Sequence, residues 1–273
     1  MFKYTAILSD KHLRKQHKET TMSSMFRRRV EIASTIQDAT REVRASLEDD
    51  FHHFRVWLRH RDGIVSEIGG EAVRYPYSAC PQATGQLERL IGMPLSQIAH
   101  SVTRQTDAQH QCTHLLDLAG LAIAHAARGA TRRRYDIQVP DRIDERTNPV
   151  LLRDGATLLS WDVHGSTIES PPPYCGVNLR EGMARWALNN LSEEEAEAAL
   201  LLRRCIQISL GRMNNLDAQV HASSTGRCYS QQPARATQAL RIKGSTWDFS
   251  EAASALCMDD QNWLSGKEEA RPS

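Results

Sequence analysis

Residues 54–68 read FRVWLRHRDGIVSEI, and this stretch decides the fold. Phe54, Val56 and Leu58 recur at every second position, in alternation with Arg55 and Arg59, which is the period of a strand with one buried face. Asp62-Gly63 follows, a pair that tolerates the positive φ of a tight hairpin turn, and Ile64 to Ile68 is the returning strand. Working backwards, Val30 and Ile32, then Val43, Ala45 and Leu47 show the same alternation, so an antiparallel meander is predicted from Arg28 onward. Tyr75-Pro76-Tyr77 leads out of the sheet, because proline cannot donate to a central ladder.

Beyond the meander the period changes. Cys80-Pro81 precedes a helical region, Gln82 to Ile91, stopped by Gly92 and Pro94, and a short helix is predicted from about Leu95 to Arg104. Cys112 to Ala127 forms a third helix, almost wholly apolar after Asp117, and therefore buried on most sides. Tyr135, Ile137 and Val139 restart the strand pattern, Asp154-Gly155 marks a second hairpin, and Leu159, Trp161 and Val163 alternate before Gly165 and the prolines at 171–173. Helices return over Leu179 to Asn189, then from an S-x-x-E capping box at Ser192 and Glu195 to about Met213. Strands in a group, then helices in a group, then both again predict an α+β fold, antiparallel β-meanders packed with grouped helices, and not βαβ winding.

The 273 residues suffice for a substantial core, with 40% hydrophobic side chains. Residues 1–24 are basic and patternless, either a disordered tail or an extension ahead of a start at Met22. Residues 25–265 then form one α+β domain or two lobes, 25–130 and 131–265, and 266–273 a disordered tail. With 34 basic against 33 acidic residues, no global attraction to nucleic acid or anionic lipid is expected. The run Arg132 to Arg134, without interleaved aromatics, is read as a solvated strand start. No stretch approaches the roughly 18 apolar residues of a membrane span, and no secretory leader is seen, so a cytoplasmic protein is expected. The six cysteines, without C-x-x-C spacing, are read as reduced thiols.

The candidate chemistry centres on Gln111 to Asp117, a polar cluster opening an apolar helix. His114 and Asp117 are three residues apart and share a face, and a carboxylate beside an imidazole fixes its tautomer and raises its basicity. The alternative is a helix terminus in which Thr113 or Asp117 satisfies free amides. His52 is in phase with Phe54 and points inward, while His53 is in phase with Arg55; a strand-end histidine bonded to backbone is the alternative for His52. Arg74, beside Tyr75 and Tyr77, could anchor a carboxylate or phenolate. Trp161, Tyr174 and Trp186 would line an aromatic pocket or simply pack the core. No metal is expected; were one bound, Cys80, Cys112 and His114 would hold it, in a pattern that lacks structural zinc spacing. There is no G-x-G-x-x-G, no G-x-x-x-x-G-K-[ST] and no G-x-S-x-G elbow, so no cofactor is expected.

The blocks Glu48-Asp49-Asp50-Phe51-His52-His53-Phe54, Arg74-Tyr75-Pro76-Tyr77 with Cys80-Pro81, and Gln111-Cys112-Thr113-His114 resemble a bacterial family of unknown function, DUF2889. The resemblance extends through Asp154-Gly155, the Pro173-Tyr174 and Gly176 region, and Gly244-Ser245 with Asp248-Phe249, from about Met25 to Ser250. It implies that His52, Arg74, Cys80, Cys112, His114 and Asp117 belong together. It also points toward the catabolic chemistry of bacteria that degrade aromatic compounds.

From these residues the leading expectation is a cofactor-independent small-molecule enzyme, a lyase or proton-transfer catalyst on an aromatic substrate. His114, oriented by Asp117, would be the base, His52 the acid, and Arg74 the anchor, with a small molecule as partner and neither nucleic acid nor membrane. A homo-oligomer is compatible with this. The other readings are a non-catalytic small-ligand binding protein and a metal-dependent hydrolase.

Overall fold

A computed structural model describes residues 24–37 and 40–267. The expected tails therefore lie outside the described residues, apart from Ser24, Gly266 and Lys267. The meander forms as β1 (Met25–Gln37), β2 (Thr40–Asp49), β3 (His53–Arg61) and β4 (Ile64–Arg74), each antiparallel to the next. Asp62 and Gly63 both take positive φ, 51° and 75°, as the tight turn requires.

Register sets two faces. On one, Val30 faces Leu47 and Leu47 faces Phe54, while Ile32, Ala45 and Val56 make the next row. Phe54, Val56 and Leu58 are fully buried there, and each such side chain contributes about 1.5–3 kcal/mol relative to exposure. On the other, Arg29 faces Glu48, Ser46 faces Arg55 and Glu42 faces Arg59. Cross-strand charges alternate in sign, so this face can be covered without stranding a charge.

After β4 the chain runs through 3₁₀ turns over Cys80–Leu90, not the α-helix expected over Gln82 to Ile91. Pro81 at the start and Gly85 in the middle favour the tighter, shorter turns. The helix expected from Leu95 is delayed, because Pro94 bridges Ile64 and Leu95 N–H donates to the Gly63 carbonyl at 2.7 Å. It is reduced to a turn at Ala99–Ser101 and α1 (Val102–Gln105). The long apolar helix is α2 (Thr113–Arg128), closed by Gly129 at φ 64°. It packs on β2 and β3.

β5 (Arg132–Pro140) returns antiparallel to β1, followed by β6 (Arg146–Thr147), β7 (Val150–Arg153) and β8 (Ala156–Ser160). A seven-stranded sheet of order β4-β3-β2-β1-β5-β7-β8 thus draws strands from both halves of the chain. β9 (Asp162–His164) and β10 (Thr167–Ser170) join β6 in a small second sheet. The first helix of the second group begins only at α3 (Met183–Asn190), since Asn178 Oδ1 accepts from the amides of Arg180 and Glu181 and Gly182 turns the chain at φ 71°. The capping box at Ser192 and Glu195 forms as read and launches α4 (Glu193–Ser209), which lies on β1, β5, β7 and β8.

Fold class is therefore α+β, with α2 and α4 over one face of the antiparallel sheet. In the irregular end of the chain, α5 (Pro233–Ala236) packs beside Tyr77 and Cys80, while α6 (Gln261–Leu264) covers part of the other face at β1 and β2. Asp260, fully buried, accepts from His53 Nε2 at 2.8 Å and from Arg55 Nε at 2.6 Å. Cys257 N–H donates to Glu48 Oε2 at 2.8 Å. His53, in phase with the charged row, is thus buried after all.

One glycine fixes the approach of α2 to its neighbour. A Cβ on Gly120 would stand 2.2 Å from the Ala99 carbonyl oxygen. An alanine in a helix interior normally stabilises by about 1 kcal/mol relative to glycine. Here the sign should reverse: Gly120→Ala is expected to destabilise by about 1–3 kcal/mol, from the shift needed to relieve overpacking. Urea unfolding reads this, and an unchanged or raised midpoint would refute the close approach.

Candidate active site

The site grows from the turn between β2 and β3. Asp49 ends the row Val43, Ala45 and Leu47, and its Oδ1 accepts from the amides of Phe51 at 2.7 Å and His52 at 2.8 Å. The same oxygen lies 3.0 Å from His52 Nδ1. A carboxylate can only accept, so Nδ1 carries the proton and Nε2 is left with its lone pair. Behind Asp49 stands Arg28, 1% exposed, whose Nε donates to Oδ2 at 2.8 Å and whose Nη2 donates to the same oxygen. Every bond of the carboxylate is used.

Across from it, the first turn of α2 presents His114. Its ring stacks on His52 with centroids 3.9 Å apart and planes at 30°, with Phe54 beyond. His114 Nε2 is buried and has no protein partner among the described residues. Both rings line a cavity of about 630 Å³ together with Phe51, Tyr77 and Tyr229. The Tyr229 loop is drawn in by its amide, which donates to the Gln111 carbonyl at 3.1 Å just ahead of α2.

Electrostatics divide the roles. Burial opposes charge on Asp49, yet Arg28 and the His52 bond outweigh it and hold the carboxyl well below the usual range. Burial lowers His52, with Asp49 only partly restoring it. Burial, then the neighbouring His52 and Arg28, lowers His114 further. Two imidazoles in van der Waals contact beside a buried guanidinium are thus neutral at pH 7. The unfolded chain takes up these protons near pH 6.5 and the folded protein only below it. Their contribution to stability is therefore full above pH 6.5 and falls as pH drops. Nitrogen-15 NMR at pH 7 should show both rings neutral and His52 protonated on Nδ1; an imidazolium pattern for His52 there would contradict the arrangement.

Several expected partners lie elsewhere. Asp117 does not meet His114: it accepts from Arg204 Nε at 2.7 Å and Nη2 at 3.3 Å. Asp117 turns toward α4, while His114 turns toward His52 and Phe54 at the sheet. Arg74 does not line the cavity. Its Nη1 donates to the carbonyls of Asp50 at 3.1 Å and Ser245 at 2.8 Å, its Nη2 to the Asp49 carbonyl at 2.5 Å, and Trp247 covers it at 4.2 Å. It clamps the turn that carries His52 and is a positioning residue. Trp161, Tyr174 and Trp186 pack on one another, 5.2 and 5.7 Å between ring centroids, in the core beside the small sheet and away from this cavity.

Cys80 and Cys112 do reach the cavity, as does Cys228. Burial pushes Cys80 up to about 11 and raises Cys112 and Cys228 as well, so all three remain thiols at neutral pH. Among the described residues no three His, Cys, Asp or Glu side chains are grouped to hold a metal ion, the Cys80, Cys112 and His114 set included. Arg28 and Asp49 were not singled out from sequence, although a charged residue in phase with each apolar row, within Phe26-Val30-Ile32 and after Val43-Ala45-Leu47, was the available signal.

An antiparallel α+β protein with a paired-imidazole cavity at one end of its sheet is the class these features define. Residues 19–128 match the model of a family described as protein of unknown function (DUF2889). The match holds the whole Arg28, Asp49, His52 and His114 cluster and ends with α2. The blocks at Asp154-Gly155, Pro173-Tyr174 and Gly244 to Phe249 lie beyond it. No curated protein matches the chain. Among the described residues no helix is long and apolar enough to cross a membrane.

Proposed function

We propose that this chain is a cofactor-independent enzyme acting on a small aromatic substrate, a lyase or proton-transfer catalyst, with His52 as its base. The observation that carries the reading is the bond from His52 Nδ1 to Asp49, itself held by Arg28, which leaves Nε2 as the accepting nitrogen of a ring on the cavity wall. A neutral imidazole with a fixed tautomer and a buried carboxylate behind it is prepared to take a proton and to stabilise the imidazolium that results. Asp49 takes the part first expected of Asp117, and His52 the part first expected of His114. His114, neutral and stacked on the base, becomes the second imidazole at the reacting atoms.

In the lyase form, His52 Nε2 removes a hydroxyl proton and the O–H electron pair becomes a carbonyl π bond as the adjacent carbon–carbon bond breaks. The departing pair rests on a ring-stabilised carbon until His52 returns the proton. Phe51, Phe54 and Tyr229 provide the aromatic walls for such a ring. The six free thiols support a reducing, cytoplasmic setting. The test is incubation of the purified protein in D₂O with hydroxylated aryl-propanoids and benzoates, followed by NMR and mass spectrometry. Cleavage or deuterium incorporation at carbon is expected; binding of these compounds with neither outcome would leave a binding protein and overturn the enzyme reading.

A further inference from the structure

The cavity walls carry more charge than the proton-transfer reading uses. Arg204 is matched by Asp117, and Arg28 by Asp49. Arg180, Arg227 and Glu181 also line the cavity, all three exposed, and none has a side-chain hydrogen bond or ion pair among the described residues. Two exposed cations against one exposed anion therefore stand at the mouth of a cavity whose wall also carries aromatic rings, thiols and Arg204, the last already paired with Asp117. Arg180, with Gln207 and Leu210, also lines a neighbouring cavity of about 360 Å³ and so borders both spaces. Arg235 covers the Tyr229 ring at 4.0 Å.

We propose that the ligand of this cavity is an aromatic carboxylate, its ring among Phe51, Phe54 and Tyr229 and its carboxylate held by Arg180 and Arg227. This rests on the proposed function only in taking the same cavity as the substrate site. A guanidinium presents paired donors that suit a carboxylate, and an arginine without an acidic partner keeps those donors free. The ring end then reaches the stacked imidazoles while the anion stays at the mouth. Glu181 opposes the anion and limits its affinity. A volume of about 630 Å³ lies within the usual range for small-molecule sites, roughly 300–1,000 Å³.

Calorimetry on the folded protein with benzoate, 4-hydroxycinnamate and 4-phenylbenzoate, each against its primary amide, tests this. At least one acid should bind about tenfold or more tighter than its amide. The Arg180→Met, Arg227→Met double variant should erase that preference while leaving amide affinity within about twofold, and Glu181→Gln should raise affinity for the acid alone. Equal binding of acid and amide, no binding of any acid, or an equal loss for both in the double variant would overturn the proposal. Running the same titrations on His52→Ala separates the two readings. An acid preference retained there, without turnover in the wild type, leaves the anchor standing and removes the catalysis.

Discussion

Asp49→Ala should destabilise the protein by about 3–5 kcal/mol, the cost of leaving a buried charge without its partner. Arg28 is 1% exposed and donates to Asp49 through two nitrogens. Without the carboxylate its guanidinium stays positive, since arginine does not shed its proton within the accessible pH range. Two backbone amides in the turn, those of Phe51 and His52, lose their acceptor as well. Asp49→Asn keeps an acceptor but not the charge and should fall between. The double variant Arg28→Met, Asp49→Leu removes both charges and should recover much of the loss, because a buried ion pair adds little over an apolar pair of similar size. Urea unfolding of the three variants measures this, with Glu169→Ala as control at an exposed pair with Arg146. A midpoint for Asp49→Ala equal to that of the control would show that Arg28 is not buried against it.

The same ion pair shows where the sequence was legible. Period-two alternation in β1 to β3 announces the meander and places His52 on the inner face, and Asp62-Gly63 and Asp154-Gly155 announce two hairpins whose φ values follow. The helix ends at Gly129 and at Ser192 were equally plain, because capping is local chemistry. What could not be read is long-range. Asp117 pairs with Arg204, 87 positions away, and the Tyr229 loop meets the start of α2 from more than a hundred positions away. Neither contact leaves a periodic trace. The cover on the charged face is of the same kind: Asp260 answers His53 and Arg55 from an irregular segment whose own pattern announces nothing. Arg74 and the aromatic trio were chosen by residue type, and type alone does not separate a cavity wall from a clamp or a core.

His52→Ala should lower turnover of an accepted aromatic substrate by about 10²–10⁴, the range for loss of a general base, with KM changed far less. The asymmetry follows from position. The ring of His52 is one wall among several, whereas its Nε2 is left as an acceptor by the bond from Nδ1 to Asp49. Asp49→Asn should reduce turnover too, because an amide can donate to Nδ1 and so favour the tautomer with the proton on Nε2, the wrong nitrogen for a base. His114→Phe keeps a stacked ring but no nitrogen, so it distinguishes a reacting imidazole from a spacer. Turnover reduced by tenfold or more there assigns chemistry to His114, and turnover preserved assigns it packing. The pH profile adds a check with a definite sign. Both imidazoles are held neutral below the usual 6.5, so activity should stay level from pH 8 down past 6.5 and decline only at lower pH. A profile that falls instead as pH rises through 6.5 would mean that a charged imidazole is the active form, and His52 could not then be the base.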